Sequence, residues 1–115
     1  MGVFDSVTAV ALNSALDGLA LRQRVIADNI ANVNTPGYRA QRVSFEEKLA
    51  GAVRSGSGAV TATVARSLEP TREDGNNVNL DTETVSNVDT ALRYQLATQA
   101  AGSQFQALRT AMRTS

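Results

Sequence analysis

Large apolar side chains recur at helical spacing along residues 12–33. The positions are separated by 4, 3, 4, 3, 4 and 3 residues and are Leu12, Leu16, Leu19, Gln23, Ile26, Ile30 and Val33. Such an alternation of three and four is typical of a helix that packs lengthwise against another helix. Pro36 disfavours helical angles at the residue before it and has no backbone N–H, so the helix is expected to end at about Val33. The pattern predicts one long N-terminal helix with an abrupt, polar end.

Two positions in this helix allow two interpretations each. Gly18 costs about 1 kcal/mol relative to alanine, and it is either tolerated or marks the close approach of a neighbouring helix. Gln23 is the polar member of the seam. Its side chain either reaches solvent at the edge of the contact or makes a buried hydrogen bond that fixes the register of two helices. Asp5 or Ser6 is expected to cap the first turn.

A second long helix is expected from Asp81, which can cap it, to about Met112. Its apolar residues form two stripes that lie on roughly opposite sides of the helix at about 100° per residue. The first stripe contains Val85, Val88, Leu92 and Leu96, and the second contains Tyr94, Ala101, Phe105, Leu108 and Met112. A two-helix hairpin covers only one of them. We therefore expect Val88, Leu92 and Leu96 to pack against the N-terminal helix, and Phe105, Leu108 and Met112 to contact another chain.

The segment between the two helices has few large apolar side chains. Val43, Phe45 and Leu49 fit either a strand-like piece or a helical turn. Residues 50–59 are rich in Gly, Ser and Ala and are typical of a flexible loop. The alternation of apolar residues over 60–65 hints at a strand, and Asp74-Gly75 indicates a tight turn.

These patterns predict an all-α fold. Two long helices, N- and C-terminal, pack as an antiparallel coiled-coil hairpin and are joined by a long, partly disordered or extended linker. The expected divisions are residues 1–38 for the first helix and its turn, 39–78 for the linker and 79–115 for the second helix, together one domain. Aromatic residues make up only 4% of the chain. The isolated monomer is therefore expected to be marginally stable and to gain order by packing with other chains.

Composition and charge argue against several classes of function. The chain of 115 residues has 11 basic and 11 acidic residues and contains neither cysteine nor histidine. Balanced charge gives no indication of nucleic-acid binding, and the usual metal ligands and the commonest catalytic base are missing. We expect no enzyme, no cofactor, no metal and no small-molecule substrate. Because the N-terminus lacks the basic start of a secretory signal peptide, we expect a cytoplasmic protein or one exported without a cleaved signal.

The end of the first helix carries a recognisable motif. Residues 28–38, Asp-Asn-Ile-Ala-Asn-Val-Asn-Thr-Pro-Gly-Tyr, resemble the N-terminal signature of the bacterial flagellar rod and hook proteins. The motif positions are Asn29, Ile30, Ala31, Asn32, Thr35, Pro36, Gly37 and Tyr38. Residues 74–81, 92–95 and 105–112 are similar to the proximal-rod members of that family, whereas residues 50–66 carry none of the resemblance.

The resemblance implies a structural subunit of the basal body rod, the drive shaft that links the MS ring to the distal rod and hook. It implies export through the flagellar type III apparatus into the periplasm without a cleaved signal peptide. The implied partners are FlgC and further rod subunits, FliE and, indirectly, the MS-ring protein FliF. The alternative is a cytoplasmic helical adaptor or export chaperone, which would also be short and rich in helical seams but would stay in the cytoplasm.

Overall fold

Two long antiparallel helices frame the molecule, and the segment between them packs against the first. The computed structural model describes residues 6–114, without the side chains of Leu108 and Thr114. The elements in chain order are α1 (Val7–Ala31), β1 (Gln41–Ser44), α2 (Glu46–Arg54), β2 (Thr63–Arg66) and α3 (Leu80–Thr114). The molecule measures 65 × 25 × 15 Å. No helix within residues 6–114 combines the length and the apolar character needed to cross a membrane.

Side-chain caps set the helix starts. Ser6 caps α1 by accepting a hydrogen bond from the backbone N–H of Ala9 at 3.2 Å. Asn79, rather than the expected Asp81, caps α3, because its Oδ1 accepts from the N–H groups of Asp81 and Thr82 at 3.0 and 3.3 Å. Asp81 instead lies in the first turn, where a carboxylate favours the positive end of the helix dipole.

The all-α prediction is wrong. Residues 39–78 contain a third helix, α2, and a two-stranded antiparallel sheet in which Val43 faces Val64. The helix α2 has two acidic residues in its first turn and Arg54 in its last, so its charges complement the helix dipole. The coiled-coil hypothesis overlooked that Val43 and Phe45 pack in one buried cluster with Leu19 and Val25 of α1.

The core lies between α1 and this middle segment. Leu19, Val25, Val43 and Phe45 form its buried cluster. Leu49 of α2 and the extended residues Val60 and Ala62 pack against it from outside. Burying these side chains stabilises the fold at about 25 cal/mol per Å² of apolar surface, so the segment expected to be a linker supplies half of the core.

Hydrogen bonds hold the extended segment before β2 against the N-terminal half of α1. The hydroxyl of Ser14 donates to the carbonyl of Gly58 at 2.9 Å and accepts from the N–H of Val60 at 3.2 Å. Gly58 has φ +70°, and a Cβ there would lie 2.7 Å from the carbonyl oxygen of Val7. Glycine is therefore required both for the turn and for the close approach.

The face of α3 that packs on α1 is not the expected one. The residues turned inward are polar or small, namely Glu83, Ser86, Thr90, Ala97, Ala101 and Gln104. In contrast, Val88, Leu92 and Leu96 are 56%, 61% and 67% exposed. Small and short polar side chains allow the two helix backbones to approach, and the larger apolar side chains are left on the opposite side.

Gly18 is the site of a close approach, made by the ring of Phe45 rather than by another helix. A Cβ at Gly18 would lie 2.5 Å from Cδ1 of that ring. Of the two interpretations, a close approach is the one that applies, but the neighbour is an aromatic ring and not a helix.

We predict that Gly18→Ala destabilises the protein by about 1–3 kcal/mol, because the buried ring of Phe45 has to move. Gly102→Ala is the matched control, since a Cβ at Gly102 meets nothing within 4 Å. In the interior of α3 that change is expected to stabilise by about 0.5–1 kcal/mol. Urea unfolding followed by circular dichroism measures both changes, and a Gly18→Ala variant as stable as the parent would contradict the assigned contact.

Candidate functional site

The turn after α1 is held by a second turn, residues 72–78, which comes from the other half of the chain. The backbone N–H of Gly37 donates to the carbonyl of Asp74 at 2.7 Å. Gly37 and Gly75 both have positive φ, +77° and +83°, and a Cβ on Gly75 would lie 3.3 Å from Cα of Gly37. The two glycines let the two backbones meet directly. We call this contact, together with the side chains that complete it, the turn junction.

Asn76 completes the end of α1. Its Nδ2 donates to the carbonyls of Asn32 and Thr35 at 2.8 and 2.9 Å, and its Oδ1 accepts from the N–H of Val78 at 2.7 Å. Both carbonyls belong to the turn after α1, where the regular hydrogen bonding of the helix has ended. The fully buried Asn76 therefore holds this turn in place.

Arg72 adds a second link to the same helix end. Its guanidinium donates to the carbonyl of Val33 at 2.6 Å and to that of Val78 at 2.7 Å. Hydrogen bonds from a charged donor are stronger than neutral ones. Arg72 thus joins the end of α1 to the chain just before α3.

Asn29 is fully buried and joins α1, β1 and α3. Its Oδ1 accepts from the N–H of Gln41 at 2.9 Å, and its Nδ2 donates to the carbonyl of Gln41 and to Oε1 of Glu83, each at 3.0 Å. The hydroxyl of Tyr38 lies 3.4 Å from Oδ1. Both donors of the carboxamide and its acceptor are used, so no other side chain of this size satisfies the site equally well.

Glu83 is a carboxylate with no exposure to solvent. Its second oxygen, Oε2, accepts from Arg42 at 2.8 Å, while Oε1 accepts from Asn29. A buried charge is tolerated when it is paired and hydrogen-bonded, and removal of one partner is costly. The first turn of α3 is therefore fixed to the motif residue Asn29 by an ionic group.

Asn77 closes the end of the sheet. Its Oδ1 accepts from the N–H of Ala40 at 2.6 Å, and its Nδ2 donates to the carbonyls of Ser67 and Glu69 at 3.3 and 3.0 Å. The carboxamide thus extends the strand ladder by one step where the two strands separate. Three asparagines, Asn29, Asn76 and Asn77, together satisfy backbone groups of the turn after α1, of β1 and of the segment after β2.

Burial raises the pKa of Tyr38, and the negative charges of Asp28 and Glu83 raise it further. Tyr38 therefore keeps its hydroxyl proton and can donate it toward Asn29. Within the part of the chain that the structure describes, no group of three or more acidic side chains is arranged to hold a metal ion.

A second polar contact joins the three helices near their middle. Arg22 lies over the ring of Phe45 at 4.9 Å and donates to Oε1 of Glu46 at 2.8 Å and to the carbonyl of Val43 at 2.7 Å. Arg93 of α3 approaches the same carboxylate to 3.7 Å. Hydrogen bonding by Arg22 lowers the pKa of Glu46 to about 2, against a smaller opposing effect of burial.

The residues predicted from the sequence to be functional are buried, half-buried or exposed in the structure. Among the motif residues Asn29 is buried, Asn32, Thr35 and Gly37 contribute to the turn junction, and Ile30, Ala31 and Pro36 are exposed. Of the N-terminal seam, Leu19 and Ile26 are buried, Leu12, Leu16, Gln23 and Val33 are half-buried, and Ile30 is at the surface. Phe105 and Met112 are 60% and 69% exposed, and the side chain of Leu108 lies outside the described residues.

Sequence reasoning missed the polar side chains that complete the junction, namely Arg42, Arg72 and Glu83, and did not assign roles to Asn76 and Asn77. Two signals pointed to them. The dipeptide Asn76-Asn77 follows a turn glycine, and Glu83 occupies the helix face opposite Val85 and Val88. Neither signal specifies a distant partner, because the residues that meet are separated by as many as 54 positions.

Comparison with known proteins places the chain in a family. Residues 11–39, which run from the seam of α1 to the end of its turn, match the family model described as flagella basal body rod protein. The flagellar basal body rod protein FlgB of Escherichia coli K12 is 32% identical over 117 residues, covering 82% of this chain and 84% of that protein. The chain belongs to the FlgB family of flagellar basal body rod proteins.

Other FlgB proteins match over even more of the chain. FlgB of Borrelia hermsii is 29% identical over 131 residues, covering 94% of this chain and 96% of that protein. FlgB of Bacillus subtilis 168 is 29% identical over 115 residues, covering 88% and 89%. These matches confirm the resemblance seen in residues 28–38 and make the chain a structural subunit of the flagellar basal body rod that interacts with other basal body components.

We predict that Asn29→Asp destabilises the protein by about 2–4 kcal/mol, because a carboxylate loses both donors and lies 3.0 Å from a second buried carboxylate. Asn34→Asp, an exposed position in the same turn, is the matched control. It is expected to change stability by less than about 0.5 kcal/mol. Urea unfolding at neutral pH compares the two variants, and equal losses would contradict the role assigned to Asn29.

A second prediction concerns acid stability. Glu46 has a pKa of about 2 in the folded protein and an ordinary value of 4.5, so the unfolded chain binds more protons between these values. The stabilisation is fully present above about pH 4.5 and is lost as the pH falls toward 2. Urea midpoints measured from pH 7 down to pH 3 should fall more steeply for the parent than for Glu46→Gln. Identical pH profiles would contradict the Arg22–Glu46 assignment.

Proposed function

We propose that the chain is a subunit of the proximal rod and that α3 presents the surfaces through which it joins its neighbours. The observation that carries the proposal is an exposed apolar stripe along one side of α3, formed by Val85, Val88, Leu92 and Leu96. Each side chain is more than half exposed, and burial would contribute about 1 kcal/mol or more apiece. A stripe at spacings of 3, 4 and 4 is suited to a partner helix.

A second patch lies near the end of α3. Phe105 and Met112 are exposed, and we assign them, with Leu108, to contacts between subunits. Phe105 borders a depression shared with Ala9, Leu12 and Asn13 of α1. Helical polymers need two different surfaces that join head to tail, and these two patches of α3 supply two.

The three parts of the chain then have distinct roles in one rod-type domain. Residues 1–38 and 79–115 are the rod helices with the motif turn, and residues 39–78 close one side of them. Of the N-terminal seam residues, the buried Leu19 and Ile26 hold α1 within the subunit, Leu12, Leu16 and Val33 are half-buried beside them, and Ile30 lies at the surface. This division follows from a core that α1 shares with the middle segment.

We extend the proposal to location and partners, which membership of the rod protein family supports. The chain is exported by the flagellar type III apparatus without a cleaved signal peptide and assembles in the periplasm, where it helps to link the MS ring to the distal rod and hook. Its partners are FlgC and further rod subunits, FliE and, indirectly, the MS-ring protein FliF. It acts as a structural component and not as an enzyme, with no nucleic acid and no small-molecule substrate.

We predict that Leu92→Glu blocks rod assembly. Because the side chain is exposed in the subunit, the substitution is expected to change the free energy of unfolding by less than about 0.5 kcal/mol. Leu68→Glu is the matched control, since Leu68 is 95% exposed and isolated in a loop. Swimming motility and export of hook protein in cells carrying each variant are the measurements, with Phe105→Ala tested alongside.

Loss of motility with Leu92→Glu and Phe105→Ala, and normal motility with Leu68→Glu, is the expected outcome. Exchange of an interface aromatic for alanine commonly costs about 2 kcal/mol or more, and the loss is repeated at every copy. Normal swimming with Leu92→Glu would contradict the assembly role of the stripe.

A further inference from the structure

The rest of the chain covers the outer edge of β1 but leaves the outer edge of β2 exposed. On the outer edge of β1, Asn29 binds both the N–H and the carbonyl of Gln41, and Arg22 donates to the carbonyl of Val43. Another strand cannot add there, because side chains of α1 already occupy the backbone groups. Edge strands in soluble proteins are usually blocked in some such way.

The outer edge of β2 is open. Gln41 and Val43 direct their backbone groups away from β2, so their antiparallel partners Arg66 and Val64 direct theirs away from β1. The bond from the N–H of Ser67 to the carbonyl of Ala40 at 2.7 Å confirms this alternation. Within residues 6–114, no hydrogen bond engages the outward N–H and carbonyl groups of Val64 and Arg66, and all four residues of β2 are exposed.

Two side chains at this edge are also incompletely covered. Val64 is 41% exposed, although its cross-strand partner Val43 is only 8% exposed. Arg66 is exposed, and among the described residues no carboxylate pairs with it. An added strand would place one side chain beside each of them.

From this asymmetry we propose that β2 is a docking edge for an extended segment of a different protein. That segment pairs antiparallel with β2 and presents an aliphatic residue beside Val64 and a carboxylate beside Arg66. A continuous sheet through successive copies of this chain would need the outer edge of β1. The backbone groups of that edge are already bonded to Asn29 and Arg22. Pairing of β2 with β2 of a second copy leaves Arg66 unpaired, because residues 60–66 contain no acidic side chain. The addition of a strand to an open sheet edge is a known mode of peptide recognition.

The test uses the purified full-length chain and a capped pentapeptide, Thr-Glu-Thr-Val-Thr, which places Glu beside Arg66 and Val beside Val64. Amide hydrogen exchange by NMR is the readout. We expect exchange at Val64 and Arg66 to slow about tenfold or more with millimolar peptide. The amides of Arg42 and Ser44, which face β2 already, are expected to stay unchanged.

Matched peptides separate strand pairing from loose association. N-methylation at Glu and Val of the peptide removes the N–H groups that face β2 and should abolish protection, whereas N-methylation at the flanking Thr residues should not. Val64→Pro removes an outward N–H and should abolish binding, while Val64→Thr retains it.

Three results would overturn the proposal. The first is no protection at Val64 and Arg66 at any peptide concentration. The second is equal protection by both N-methylated peptides. The third is protection that rises with protein concentration alone, which would identify a second copy as the occupant of the edge. The peptide comparison stays decisive even if Val64→Pro does not fold.

Discussion

The backbone groups left unpaired where α1 ends are the constraint on which the rest of the structure depends. Pro36 prevents the helix from continuing, so carbonyls of the turn that follows it, those of Asn32, Val33 and Thr35, need donors from elsewhere. Asn76 and Arg72 provide them from a turn about 40 residues away, at 2.6–2.9 Å. Because those donors directly precede α3, satisfying the end of one long helix also determines where the other begins.

Hydrogen bonding also accounts for two polar side chains inside the helix pair. Asn29 and Glu83 are fully buried at the contact between α1 and α3, where a coiled coil would have apolar side chains. A buried polar network is favourable only when each member is satisfied, and it then specifies one arrangement. Register in this subunit therefore depends on hydrogen bonds, and the apolar side chains of α3 are left available on the outside. In a rod subunit, that distribution leaves apolar surface exposed without loss of a defined fold.

Local signals in the sequence predicted local features. The spacing from Leu12 to Val33 and the proline after it gave α1 and its end to within two residues, and the motif gave the family. The alternation over 60–65 hinted at the strand that β2 forms, but the pairing of β2 with β1 and the helix α2 were not predicted, because strands of four residues and a nine-residue helix carry little periodicity. The inward face of α3 was misassigned because apolar stripes indicate which residues prefer burial, but not whether burial occurs within the subunit or in an assembly. Glu83 could not be assigned to the site, since its partners Asn29 and Arg42 are distant in sequence.

Native-state hydrogen exchange tests the central role of the turn junction most directly. The relevant amides are those of Ala40, Gln41 and Val78, which donate to the side chains of Asn77, Asn29 and Asn76. If the junction holds the subunit together, these three amides exchange only through global unfolding, with the same free energy as amides in the middle of α1. Exchange of the three at a much lower free energy, while the middle of α1 stays protected, would show that the junction opens independently and would contradict this account.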